Sequence, residues 1–194
     1  MHLVFDICQG IGVAAAVGIR PFLPALVTGL LAAGNVEIHF NHTDYSFLQS
    51  LPFLLVMVVC VALGLLLVVR LGTRAASPAE VALALISLAL GALFFAGSLA
   101  RGHYAAWPGW IGGVICAAVG IAASVPLLRR VRARLDAEAA RALPLLAEGA
   151  AAVAAGLSVI APPVGVIVLA LLVWLLLAGR RRADQKYAGL RILR

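Results

Sequence analysis

The chain has 194 residues, of which 64% are hydrophobic and only 12% charged, with a mean hydropathy of +1.10 and a net charge of +7. A soluble domain carries about 25% charge, so a water-soluble globular protein is excluded. The basic residues stand at the ends of apolar runs rather than on one polar face, which excludes nucleic acid as a partner and reads as anchoring at a cytoplasmic membrane surface.

The first apolar segment, 3–19, makes one short crossing. Asp6 and Gln9 are three residues apart on it and share a face, and Gly10, Ala14 and Gly18 put small side chains on one stripe. The opening Met1-His2-Leu3-Val4-Phe5-Asp6 has no basic region and places an acid inside the apolar stretch, so it is expected to be retained rather than cleaved as a signal peptide. Arg20 then precedes Pro21, and Pro24 follows within a turn. Proline lacks an N–H and disfavours helix in the residue before it, so 20–34 is a broken segment. Its apolar part, 25–33, is too short to cross alone and calls for a re-entrant hairpin or a broken helix.

The loop 35–50 is the most polar, with Glu37, His39, Asn41, His42 and Asp44 and no Lys or Arg. Segment 51–69 is a crossing ended by Arg70 and Arg74, and 79–100 is the next, opened by Ser77-Pro78 and followed by Arg101 and His103. Tyr104, Trp107 and Trp110 then cluster as interfacial aromatics do. Along 109–128, Gly109, Gly113, Ala117, Gly120 and Ser124 draw a small-residue stripe, through which a homo-oligomer is expected to form.

The basic linker 129–141 carries Arg129, Arg130 and Arg132. Arg132 with Asp136, and Arg134 with Glu138, are four apart, so the linker is expected to be a surface helix touching anionic lipid headgroups. The apolar run 142–179 holds one charge, Glu148, and is about twice the roughly 20 residues of one crossing. Pro162-Pro163 must divide it, into 143–161 and 163–179. A basic tail, 180–194, ends the chain with Arg180, Arg181 and Arg182 as further lipid contacts, and Tyr187, Leu190 and Leu193 are placed to lie against lipid. Linker and tail are the most basic loops, so both belong on the cytoplasmic side of a plasma membrane, with loop 35–50 outside. Arg101 alone departs from this charge pattern.

The two broken segments resemble one another. Asp6 stands 15 residues before Pro21, Glu148 stands 14 before Pro162, and each acid leads into a Gly/Ala-rich stretch. The fold expected is an all-α, polytopic transmembrane helix bundle forming a single domain over 1–194, with two interrupted segments in the manner of an inverted repeat. Paired interruptions of this kind point to a transporter-type site. The string from Gly10 through Arg20-Pro21-Phe22-Leu23-Pro24 resembles the opening of a widespread family of small bacterial membrane proteins, closest to its actinobacterial members, known only as a domain of unknown function. The late acidic Gly/Ala-rich segment and Arg-rich end also resemble it. The resemblance implies a polytopic helical protein and supplies no activity, cofactor or catalytic residue.

Asp6, Gln9, Arg20 and Glu148 are the candidate site residues, and Pro21, Pro24, Pro162 and Pro163 the breaks beside them. A carboxylate at membrane depth costs about 2.5–3.5 kcal/mol, so it faces a cavity or a partner. Asp6 and Glu148 would bind a cation or proton, and Arg20 an anionic group. His39, His42 and Asp44 lack ligand spacing and a fourth partner, so no metal is expected, and no cofactor. No nucleophile elbow, phosphate loop or His-Glu helix motif occurs, so the chain is not read as an enzyme. Ser98, Ser124 and Ser158 are expected to hydrogen-bond between helices. The leading reading is a small transporter or channel-like protein for a solute, ion or lipid headgroup, with one polar mid-depth cavity lined by Asp6, Arg20 and Glu148. The alternative is a non-transporting scaffold or assembly factor binding anionic lipids or a partner protein, with a filled interior and those groups at the interfaces.

Overall fold

The computed structural model describes residues 2–71 and 77–188, with side chains over 3–66, 80–136 and 138–180. Its helices are α1 (His2–Ile19), α2 (Phe22–Ala33), α3 (Leu51–Leu71), α4 (Ser77–Arg101), α5 (Trp107–Arg132), α6 (Ala137–Ile160) and α7 (Pro163–Ala188), with a 3-10 turn at Ser46–Gln49 and no strand among the described residues. Four stretches are long and apolar enough to cross a membrane: Glu80–Arg101, Trp107–Arg132, Glu138–Ile160 and Pro163–Arg180. The apolar stretches Leu3–Ile19, Phe22–Ala33 and Leu51–Leu66 are shorter. An all-helical, multi-pass membrane protein results.

Prolines set the two breaks. Pro21 and Pro24 have no N–H to give to the carbonyls of Val17 and Arg20, so α1 stops at Ile19 and α2 starts at Phe22. Pro162 and Pro163 withhold donors from Ser158 and Val159 in the same way and part α6 from α7, where Pro163 is tolerated because first-turn N–H groups have no helical acceptor.

Helix α1 is the axis of the bundle. Helices α4, α5, α6 and α7 all pack against it, and Val13, Ala14, Ala15, Ala16 and Val17 are at most 1% exposed. Its glycines and alanines make this possible, because small side chains let neighbouring backbones approach from several sides. The small-residue stripe of α5 is used in the same contacts. Gly109 and Gly113 lie against Ala96 and Ala92 of α4, and Gly120 against Ala15 and Gly18 of α1. The face expected to serve a homo-oligomer is therefore spent inside the chain.

From Asp6 the chain runs along α1 to Arg20, about 21 Å away at 1.5 Å per residue. It is back beside Asp6 by Glu37, since the Arg101 guanidinium donates both to the Asp6 carboxylate and to the Glu37 carbonyl. Helix α6 runs alongside α2, with Glu148 facing Leu23 and Gly156 facing Val27, and reverses at Pro162-Pro163 beside Gln9. The α1–α2 turn thus lies at one end of the bundle and the α6–α7 turn towards the other.

Three sequence expectations are corrected. The linker 129–141 is no separate surface helix: α5 continues to Arg132, Asp136 takes an extended ψ of 160° at the N-cap of α6, and α6 begins at Ala137. With the chain reversing there, the Arg132–Asp136 and Arg134–Glu138 pairs are not among the ion pairs of the described residues. The three serines bond within their own helices, Ser98 to the Phe94 carbonyl, Ser124 to Ile121 and Ser158 to Ala154, because a carbonyl three or four residues back is always in reach. Loop 35–50 keeps its charged and His side chains exposed, yet Ile38, Phe40 and Leu48 sink into the core with Val13, Val17, Phe94 and Val159. The loop is thus a plug with a polar outer surface. The Arg70 to Arg74 loop and the side chains of Arg181, Arg182, Tyr187, Leu190 and Leu193 lie outside the described residues.

Candidate functional site

The polar groups of the bundle fall into three levels along α1. At the first, Asp6 is 1% exposed, in the second turn of α1. Arg101, the last residue of α4, forms an ion pair with it. Gly102 follows so closely that a Cβ there would stand 2.6 Å from Asp6 Oδ2, leaving no room for a side chain. Asn35, Glu37, His39, His103 and Tyr104 complete the wall of an open basin of about 630 Å³ around this pair. No group of three metal-ligating side chains gathers there or elsewhere among the described residues. Asp6 had been given no partner from sequence. The available signal was Arg101, the one basic residue on the wrong side of the charge pattern, which a buried carboxylate explains.

The second level is the α6–α7 break. Gln9, also 1% exposed, donates from Nε2 to the Val159 carbonyl at 3.1 Å. That carbonyl is the acceptor that Pro163 leaves without a donor, so a side chain of α1 completes the broken helix. Gly165 lies directly on the Cys8 carbonyl, and Gly12 faces Gly165 and Ser158, so any larger residue would push the break away from α1. Gln9 Oε1 is buried without a partner.

The third level is the α1–α2 break. Arg20 and Glu148 are both half-buried, and their charges lie across the break from one another, beside Leu23. A negative group at the start of α2 is favoured by the unpaired N–H groups and dipole of that helix. The two side chains make no ion-pair contact among those of the described residues. Arg20 Nε and Glu148 Oε2 are both buried without a hydrogen-bond partner. Below the turn lies a cavity of about 190 Å³, lined by Arg20, Pro21, Ser87, Arg129, Arg132 and Pro144 among others. Arg129 also binds Glu80 at 2.6 Å, an exposed pair. Arg130 leans over Gly179 of α7, and Arg180 is exposed.

Asp6 and Gln9 therefore share a face, and Arg20 and Glu148 come near one another without an ion-pair contact, but the two groups lie at opposite ends of α1. The single mid-depth cavity expected from sequence is replaced by two separate ones, with Val13 to Val17 filling the space between. A family model described as Domain of unknown function (DUF4126) matches residues 7–182. The chain belongs to this family. The DUF4126 match takes in Gln9, both proline breaks, Arg101 and the Arg20–Glu148 pair, so it spans the whole bundle rather than one hairpin. No curated protein and no solved structure matches the chain.

Proposed function

We propose that this protein moves a small solute, ion or lipid headgroup across the plasma membrane, through the region between its two broken helical pairs. The observation that carries this reading is the unmet polarity at the first break: Arg20 Nε and Glu148 Oε2 are buried within an apolar bundle, and neither has a partner. An unsatisfied polar group in such surroundings costs several kcal/mol unless protein, water or a ligand meets it. A passing ligand would meet it here. The basic linker and tail favour a cytoplasmic C-terminus, which puts the cavity below Arg20 on the cytoplasmic side and the Asp6–Arg101 basin outside. On this reading α1–α2 is a re-entrant pair entering from outside, its turn stopping short of Arg129, which lies nine residues beyond the Gly120–Gly18 contact on α5. With α6–α7 pointing the other way, the two pairs would make an inverted repeat, the cavity below Arg20 opening inwards and the Asp6–Arg101 pair serving as the outer latch.

Flux into proteoliposomes tests this, after a screen of ligand-induced thermal stabilisation has supplied the cargo. Glu148→Gln is expected to reduce flux at least tenfold, whereas flux equal to wild type removes this carboxylate from the mechanism. One observation favours a second reading, a membrane scaffold or assembly factor held to anionic lipids by Arg129, Arg130, Arg132 and Arg180–182: the interior between the two cavities is filled. That reading predicts ligand-independent folding and no flux with any cargo. A homo-oligomer would then join through the exposed apolar faces of α3, α6 and α7 rather than through the glycine stripes.

A further inference from the structure

We infer that the cavity under the α1–α2 turn is a binding site for a phosphate-bearing anion carrying an apolar group. The inference rests on the proposed reading for its direction, naming the class of cargo, but not for its test. Three arginines converge on the cavity from different elements: Arg20 from the turn itself, and Arg129 and Arg132 from the end of α5. Glu80 engages only one of them, Arg129, through one nitrogen. The Arg132 guanidinium has no ion-pair partner among the described residues, and Arg20 Nε is buried and unbonded. Glu148 faces Arg20 but is not part of the cavity wall, so the lining carries three positive charges against one negative.

Guanidinium groups approaching from two sides suit a phosphate, whose oxygens accept several charge-assisted hydrogen bonds at once. Between the arginines the wall is Ile19, Leu83, Ile121, Val125, Leu128 and Leu143. Such a surface gives nothing to a hydrated inorganic ion and suits hydrocarbon. A cavity of about 190 Å³ is small and takes the phosphate end of such a molecule. The same chemistry is offered by a membrane phospholipid headgroup and by a free phosphate, and the two are separable.

The test is thermal unfolding of the full chain in a nonionic detergent at fixed ionic strength. The probes are short-chain phosphatidic acid, phosphatidylcholine, a fatty acid of equal chain length and inorganic phosphate. Phosphatidic acid is expected to raise the midpoint by roughly 5 °C or more at a hundredfold excess over its Kd. Arg20→Gln and Arg132→Gln should each weaken its binding tenfold or more, while Arg134→Gln, exposed beyond the cavity, should leave it unchanged. Ala84→Phe keeps every arginine and fills the cavity, so it should abolish the shift, and Arg20→Lys separates loss of charge from loss of folding. An equal, Arg20-dependent shift from inorganic phosphate would identify the free ion as the source. Equal shifts from the fatty acid or phosphatidylcholine overturn the assignment, as does wild-type binding in Ala84→Phe. Binding without flux would sink transport alone, and Glu148-dependent flux without phosphate binding would sink this inference alone.

Discussion

The two ends of α1 hold the same ingredients, a carboxylate, an arginine and a chain reversal, and treat them in opposite ways. At the Asp6 end every strong group is engaged: Arg101 grips the carboxylate and the Glu37 carbonyl together, and Gly102 closes over them. At the Arg20 end the opposite charges face one another without contact, and each keeps a buried polar atom idle. Complete pairing fixes a structure, because opening it leaves an unpaired buried charge. Incomplete pairing leaves room for a guest. The first end therefore reads as a fastening and the second as a place of work.

The largest effect that would sharpen this contrast is on stability at the fastened end. Arg101→Gln strands the Asp6 carboxylate and is expected to cost about 3 kcal/mol or more, seen as a large fall in the unfolding midpoint in detergent. The double variant Asp6→Asn with Arg101→Gln should recover part of that loss. At the α6–α7 break, Gly165→Val forces a side chain into the Cys8 carbonyl, with an expected cost of about 2–3 kcal/mol by the same measurement. Gln9→Leu leaves the Val159 carbonyl without a donor and should cost about 1–2 kcal/mol. Glu148→Gln should change stability by less than about 1 kcal/mol, since no ion pair is broken, while lowering flux. The smallest effect belongs to Arg129→Gln, whose partner Glu80 is exposed: within about 0.5 kcal/mol. If Glu148→Gln proves as damaging to folding as Arg101→Gln, the distinction between the two ends collapses.

Much of this architecture was legible in the sequence because lipid imposes simple rules. Long apolar runs gave the four candidate spans, and the prolines located both breaks to within a residue of the observed helix ends. What remained hidden depends on three-dimensional proximity. The long run 142–179 looked central by length, yet α1 holds the bundle together by being small enough to be surrounded. Arg101 is 95 residues from Asp6, and no periodicity links positions so far apart. Gln9 meets Val159 across 150 residues for the same reason. Loop 35–50 was read by its charges, and its three buried anchors, Ile38, Phe40 and Leu48, are too few and too scattered to register as a pattern.

A helix that most of the others lean on has a history as well as a place. Synthesis makes α1 before the six helices that follow it, but the residue that neutralises Asp6 emerges 95 positions later, and the carbonyl that Gln9 caps 150 positions later. Through most of synthesis the future axis must therefore wait with its carboxyl group and amide unclaimed, and its Gly/Ala surface open to lipid. Insertion of the last hairpin is what completes the first helix, so truncation after α5 should leave a chain that reaches the membrane and is there degraded.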